Sequence, residues 1–226
     1  MKKLVTICAV ATMILVVTGV SQAGLTVIGT ATVDGGGSYN LIYEEAQNLV
    51  WLDYTPSEVD LKSGHKTWVA GLGSGLEVNL NPLYTTDIDW STGWRLPSAG
   101  DSPVIGLYQT TSEMGHLFYV SLGKEAEQDP LGNMSPFVNL LEGTYWAGET
   151  SSFGRTWAFT FGSNGPKLAN PAYLGDVSGL QFTPSNGEPD VTAIAVRDGT
   201  VAVVPEPATI CMLGLGGLLL RKRKSA

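Results

Sequence analysis

The sequence predicts one loop-rich domain that mixes strands with helix, held between two targeting segments. Three observations carry this. Thr156 to Phe161 alternates without a break, with Trp157, Phe159 and Phe161 on one face and Thr156, Ala158 and Thr160 on the other, which is a strand pattern. Ser112 to Leu122 carries Met114, Leu117, Phe118, Val120 and Leu122, a helical stripe. The 28 glycines and 12 prolines are spread along the chain and divide it into short elements joined by turns. The composition fits an all-β sandwich equally well. About 180 residues between the terminal segments suit one domain with a sizeable core.

Taken in order, Gly35-Gly36-Gly37 lacks the lysine and hydroxyl of a phosphate loop and reads as a turn. Tyr39 to Glu44 and Leu49 to Tyr54 are rich in strand formers, with Ala46-Gln47-Asn48 between them, and predict a hairpin or two adjacent strands. Ser57 to Leu72 predicts a helix interrupted near Gly64. Pro103 to Tyr108 is short and ambiguous. Val191 to Val196 alternates with both faces apolar or small, the pattern of a central strand.

The N-terminus reads as a signal peptide over residues 1–23. Lys2 and Lys3 form its charged region, Leu4 to Val17 is mostly apolar, and Ser21-Gln22-Ala23 offers small residues to signal peptidase, with cleavage after Ala23. The two cysteines, Cys8 and Cys211, both lie in terminal segments. The body, residues 24–204, therefore has no disulfide, no catalytic thiol and no cysteine-ligated metal. It holds 7 Lys and Arg against 20 Asp and Glu, a net charge of −13. Such a surface repels phosphate, so nucleic acid is not an expected partner.

The C-terminus, residues 205–226, is an address label. Pro205-Glu206-Pro207 precedes an apolar stretch from Ala208 to Leu220, then the basic stop Arg221-Lys222-Arg223-Lys224. A helix of those 13 apolar residues is roughly 20 Å long, a short transmembrane helix against a bilayer core of about 30 Å. It is a marginal anchor unless the bilayer thins or Val201 to Val204 extend it. The basic cluster should stay cytoplasmic, which puts the body outside. This arrangement resembles the PEP-CTERM sorting signal of Gram-negative bacteria, with Val204-Pro205-Glu206-Pro207-Ala208 as its core. The resemblance implies export, transient residence in the inner membrane and cleavage by an exosortase-type membrane protease.

Three further constellations stand out. They are Gly93-Trp94-Arg95-Leu96-Pro97, then Tyr145-Trp146-Ala147-Gly148-Glu149-Thr150 followed by Trp157-Ala158-Phe159, and Ala195-Val196-Arg197-Asp198-Gly199. Their order and spacing resemble the Lcl C-terminal domain family, with Ala147 where serine is usual. The resemblance spans about Leu41 to Gly199. It implies an α+β, C-type-lectin-like fold with two helices on short, mainly antiparallel strands. The tryptophans are expected in the core. Arg95 and Arg197 are expected to pair with carboxylates or backbone carbonyls.

No catalytic constellation is evident. His65 sits in a polar run and His116 beside an apolar stripe, without a nucleophile elbow or a metal-binding spacing. Neither metal nor cofactor is expected. Glu44-Glu45, Asp87 with Asp89, and Glu125 with Glu127 have the chemistry for acid–base work or calcium binding, but carboxylates are common on an acidic surface and these read as surface groups. Glu188-Pro189-Asp190 superficially resembles a lectin calcium loop but lacks the Trp-Asn-Asp block. The expectation is a non-catalytic cell-surface or extracellular-matrix protein of adhesion or polysaccharide association. Its alternatives are a calcium-dependent carbohydrate binder and a periplasmic enzyme with an unrecognised site.

Overall fold

The computed structural model describes residues 24–56, 62–127, 132–162, 177–184 and 191–205. The signal peptide with Ser21 and Ala23, the Glu188-Pro189-Asp190 run, and the tail from Glu206 through Pro207, Ala208 and Arg221 to Lys224 lie outside the described residues. The fold is mixed α+β and mostly sheet.

Strands β1 (Leu25–Val33), β2 (Ser38–Glu44) and β3 (Leu49–Leu52) form an antiparallel meander. The first turn closes through Gly36 N donating to Val33 O at 2.8 Å, with Asp34 and Gly35 both at positive φ. That is an Asp-Gly hairpin turn whose twist matches its strands. Helix α1 (Lys62–Gly75) follows, then β4 (Leu76–Leu80) on the outer side of β1. Gly64 does not interrupt α1. One glycine costs a helix about 1 kcal/mol, and burial of His65, Val69 and Leu72 on the helix's inner face outweighs it.

The helical stripe forms a single α-turn, α2 (Glu113–His116), which continues as a π-turn over Leu117–Ser121. Ser112 caps it by accepting from Gly115 N. Strands β6 (Gly143–Thr150) and β7 (Thr156–Phe161) pair antiparallel, with β8 (Gln181–Phe182) outside β7 and β9 (Val191–Thr192) parallel to β6. Phe118 of the π-turn meets Phe159 and Phe161 edge-on at 5.6 and 5.7 Å, and Tyr145 meets Phe161 at 5.5 Å. Such contacts add about 0.5–1.5 kcal/mol each beyond area burial.

The expected central strand over Val191–Val196 is instead two strands in two sheets. β9 ends at Thr192, and β10 (Ala195–Asp198) pairs antiparallel with β3 at the edge of the first sheet, whose order is β10-β3-β2-β1-β4. Every residue from Ala193 to Val196 is buried, because the segment threads the junction between sheets. The first sheet is covered on both faces: Ile42, Trp51 and Val196 face one apolar cluster, and Leu41, Val50 and Leu52 face the other. Double coverage is why β3 reads Leu-Val-Trp-Leu rather than alternating. The chain then folds into a small ribbon, β5 (Tyr84–Thr86) with β11 (Val201–Val203).

Trp146, Trp157 and Phe159 are all buried. Trp157→Ala should lower stability by about 3–5 kcal/mol, as large aromatic truncations in cores do. A denaturant midpoint equal to wild type would refute that placement.

Candidate functional site

The three constellations meet in space. Arg95 and Val196 exchange backbone hydrogen bonds at 2.9 and 3.0 Å, which joins the Gly93–Pro97 segment to β10. Gly148 N donates to Pro97 O at 2.8 Å, which joins the same segment to β6. The guanidinium of Arg95 holds Glu113 in a two-pronged pair at 2.7 Å on each prong and reaches Asp198 at 2.8 Å. Glu113 also accepts from Ser98 N at 2.6 Å. Burial works against the charge on Arg95, but the bonds and charge of Glu113 and then Asp198 outweigh it and push its pKa up.

Arg197 is held differently. It donates to the backbone carbonyls of Asp89 and Thr92 and lies over the rings of Trp90 and Trp94, 5.5 and 5.9 Å from their centroids. Trp94 and Leu96 are buried behind it, and Trp94 Nε1 donates to Trp90 O. Gly93 sits at φ +81°, where a side chain would also crowd the Arg197 guanidinium. Tyr145 is fully buried, and its hydroxyl donates to Leu141 O at 2.8 Å while accepting from Leu141 N at 3.0 Å. Burial pushes its pKa up to about 12.

Between α1 and this junction runs a groove of about 670 Å³, with Lys66, Arg95, Ser98, Glu113 and Glu149 along it. Its carboxylates are already engaged: Glu149 accepts from Ser98 Oγ and Ala99 N at 2.6 Å each. Lys62 Nζ donates to Glu149 O and Thr150 Oγ1, and burial, then Lys66, lowers its pKa to about 8.

A second polar cluster was not readable as such in the sequence. Glu44 is fully buried and accepts from Trp51 Nε1 at 2.8 Å and from Ser121 Oγ, and its other contact is His116 Nδ1 at 2.7 Å. Glutamate, histidine and serine are together, but Ser121 and His116 both turn toward the carboxylate. Ser121 Oγ donates to the carboxylate and also lies 3.4 Å from His116 Nδ1, so the three side chains form one polar cluster. Glu44, taken from sequence for a surface residue, is a core acceptor because β2 is covered on both faces. Asp89, by contrast, is exposed and closes a turn by accepting from Ser91 N and Oγ. Among the described residues no three His, Cys, Asp or Glu side chains converge as a metal site would require.

A second groove, about 840 Å³, opens beside the β6–β7 turn. Phe153 projects from that turn and is 90% exposed. Val104 and Ile105 are half exposed beside it, Trp157 shows only an edge, and Ser and Thr hydroxyls and Arg155 complete the lining. The turn is braced by Ser151 N donating to Arg155 O and by Gly154 N donating to Ser151 O. Among the described residues Arg155 makes no ion pair.

The chain leaves the fold at the β5–β11 ribbon. Val204 N donates to Leu83 O at 2.8 Å, and Pro205 is the last described residue. Val201–Val203 are strand residues, so they do not lengthen a spanning helix while the ribbon is formed. No helix among the described residues is long and apolar enough to cross a membrane.

The Arg95 contacts predict unequal mutants. Glu113→Gln breaks a half-buried two-pronged pair and a Ser98 contact, and should cost about 2–3 kcal/mol. Asp198→Asn, at an exposed carboxylate, should cost less than about 1 kcal/mol. Equal losses in denaturant titrations would show that the pair is not the anchor.

Residues 203–224 match the PEP-CTERM protein-sorting motif. No curated protein and no solved structure matches the chain. The match begins on the last residue of β11 and covers the Pro-Glu-Pro core, the apolar stretch and the basic residues up to Lys224. The chain thus carries an exosortase sorting signal, the mark of an exported protein sorted at a membrane.

Proposed function

We propose that the chain is an exported, exosortase-processed, non-catalytic module that works at the cell surface or in the extracellular matrix through weak contacts with polysaccharide. In this reading the body, residues 24–204, is an Lcl C-terminal-like domain with a C-type-lectin-like arrangement. Signal peptidase removes residues 1–23, and the inner membrane holds the chain only until the sorting tail is cut. The meeting of the Gly93–Pro97, Tyr145–Thr150 and Ala195–Gly199 segments at one junction supports the family resemblance. Their side chains are occupied in holding that junction together, which favours a scaffold over a reaction centre.

One observation carries the binding reading: Phe153, exposed on a braced turn above a groove lined with hydroxyls and an arginine. A flat ring stacks on the C–H face of a sugar, and hydroxyls and a guanidinium meet its polar edge. In this reading one open groove with a single exposed ring binds weakly, and display of many copies supplies avidity. Phe153→Ala should abolish retention of the folded protein on a matrix-polysaccharide column while leaving its denaturant midpoint within about 0.5 kcal/mol of wild type, as an exposed substitution should. Undiminished retention would refute the groove. Turnover of a glycan, ester or peptide, lost on mutating His116 or one carboxylate, would refute the non-catalytic reading.

Processing has its own test. Glu206→Ala, or loss of Pro205 and Pro207, should leave the full tail attached in cells that hold the protease. Mass spectrometry of the mature C-terminus reads the outcome, and an unchanged cleavage product in the variants would remove Pro205-Glu206-Pro207 as the recognised element.

A further inference from the structure

The point where the chain leaves the fold constrains what the body can touch. Val204 is hydrogen-bonded to Leu83, and the apolar tail segment starts at Ala208. Four residues span at most roughly 14 Å even when fully extended. The headgroup layer on each side of a bilayer is on the order of 5–8 Å thick. While the tail is inserted, the ribbon end therefore lies no more than roughly 6–9 Å beyond the headgroup layer.

The tail also pulls inward. Its apolar stretch, as a helix, falls roughly 10 Å short of a bilayer core. Val201–Val203 cannot supply the missing length, because they are strand residues paired with Thr86, Thr85 and Tyr84. The shortfall is met by a thinner bilayer or by drawing the ribbon end into the interface. The residues presented there suit entry. Leu83 is 50% exposed, Val203 69% and Val204 39%, three neighbouring aliphatic side chains on a surface otherwise rich in acid. The described ribbon residues from Asn81 to Thr86 and from Thr200 to Pro205 include no acidic side chain. Elsewhere the body's net charge opposes contact with anionic lipid.

We infer that the end of the β5–β11 ribbon, formed by Leu83, Val203 and Val204, is a bilayer-contact surface that sits in the headgroup layer of the inner membrane while the sorting tail is attached. The inference rests on the sorting tail acting as a membrane anchor. It assigns a fixed face of the body to the membrane, so the sorting motif is presented at one height and in one orientation. Apolar insertion and not charge carries the contact, so it should persist in high salt.

The test uses the processed chain, residues 24–226, carrying Cys211→Ser and incorporated into zwitterionic phosphatidylcholine vesicles, so that the sorting tail is the apolar segment that can anchor it. An environment-sensitive fluorophore is placed at Leu83→Cys in one sample and at Phe153→Cys in another. The expected result is flotation of both with the vesicles. The label at position 83 loses most of its emission to headgroup-spin-labelled lipid, in low and high salt alike, and the label at position 153 keeps its emission. Failure to float would overturn the anchor reading and this inference together. Flotation with the label at position 83 as unquenched as that at 153, or with both quenched alike, would overturn the inference alone. Quenching at 83 that appears only when the exosortase-type protease shares the bilayer would assign the face to the protease and overturn bilayer contact.

Discussion

The two-pronged pair between Arg95 and Glu113 is the interaction on which the rest of the body depends. Arg95 is fixed by its backbone to β10, and β10 is fixed to β3. Glu113 begins the helical turn that lays Phe118 on the second sheet. The pair thus ties the edge of one sheet to the segment that covers the other. Pro97 and Ser98 extend the tie, since Gly148 of β6 donates to Pro97 O and Glu149 accepts from Ser98 Oγ. A guanidinium suits this place because its planar fork satisfies two carboxylates and a carbonyl at once. Lysine, a point charge with no fork, would hold one partner and leave the others unmet.

Without disulfides, the two sheets are joined by apolar packing and by buried polar groups that are fully satisfied. Among the described residues no buried side-chain nitrogen or oxygen lacks a partner. Asp53 illustrates the rule. It is buried, which raises its pKa, yet it accepts from Val138 N, Asn139 N and Asn139 Nδ2 and so holds the loop that leads into β6. Glu44 does the same for the π-turn through Ser121 and His116. Each buried acid organises a neighbouring loop, and an apolar replacement would leave several backbone or hydroxyl donors unmet.

Much of the architecture was legible where periodicity was strong. The β2–β3 hairpin, the strand over Thr156–Phe161 and the helical nature of Ser112–Leu122 all carry local patterns of side chains that packing then rewards. The misread places share a cause. Gly64 looks like a breaker because propensity is local, whereas the burial of His65, Val69 and Leu72 comes from the sheet beneath. Val191–Val196 looks like one strand because two short buried pieces in different sheets have the same composition as one. The pairing partners of Arg95 and the burial of Glu44 depend on residues up to 103 positions apart, and no spacing encodes them. Phe153 was invisible for the opposite reason, since an aromatic beside a glycine in a turn looks the same whether it faces solvent or core. The C-terminal signal was readable in full because a membrane-sorting tag must be recognisable as a linear string.

β10 lies beside β3, so the first sheet joins residues near position 50 to residues near position 197. A chain crossing a membrane from its N-terminus presents β1, β2 and β3 early but cannot close the sheet edge until almost all of the body has emerged. Such long-range closure is slow compared with local structure. β11 zips onto β5 only after that, and the sorting motif begins where that zipper ends. The order of emergence therefore makes closure of the sheet, and then of the ribbon, the last events before the tail reaches the bilayer. A body stalled short of residue 198 leaves Leu49–Leu52 with an open edge, the state most exposed to proteolysis and to pairing with the wrong strand.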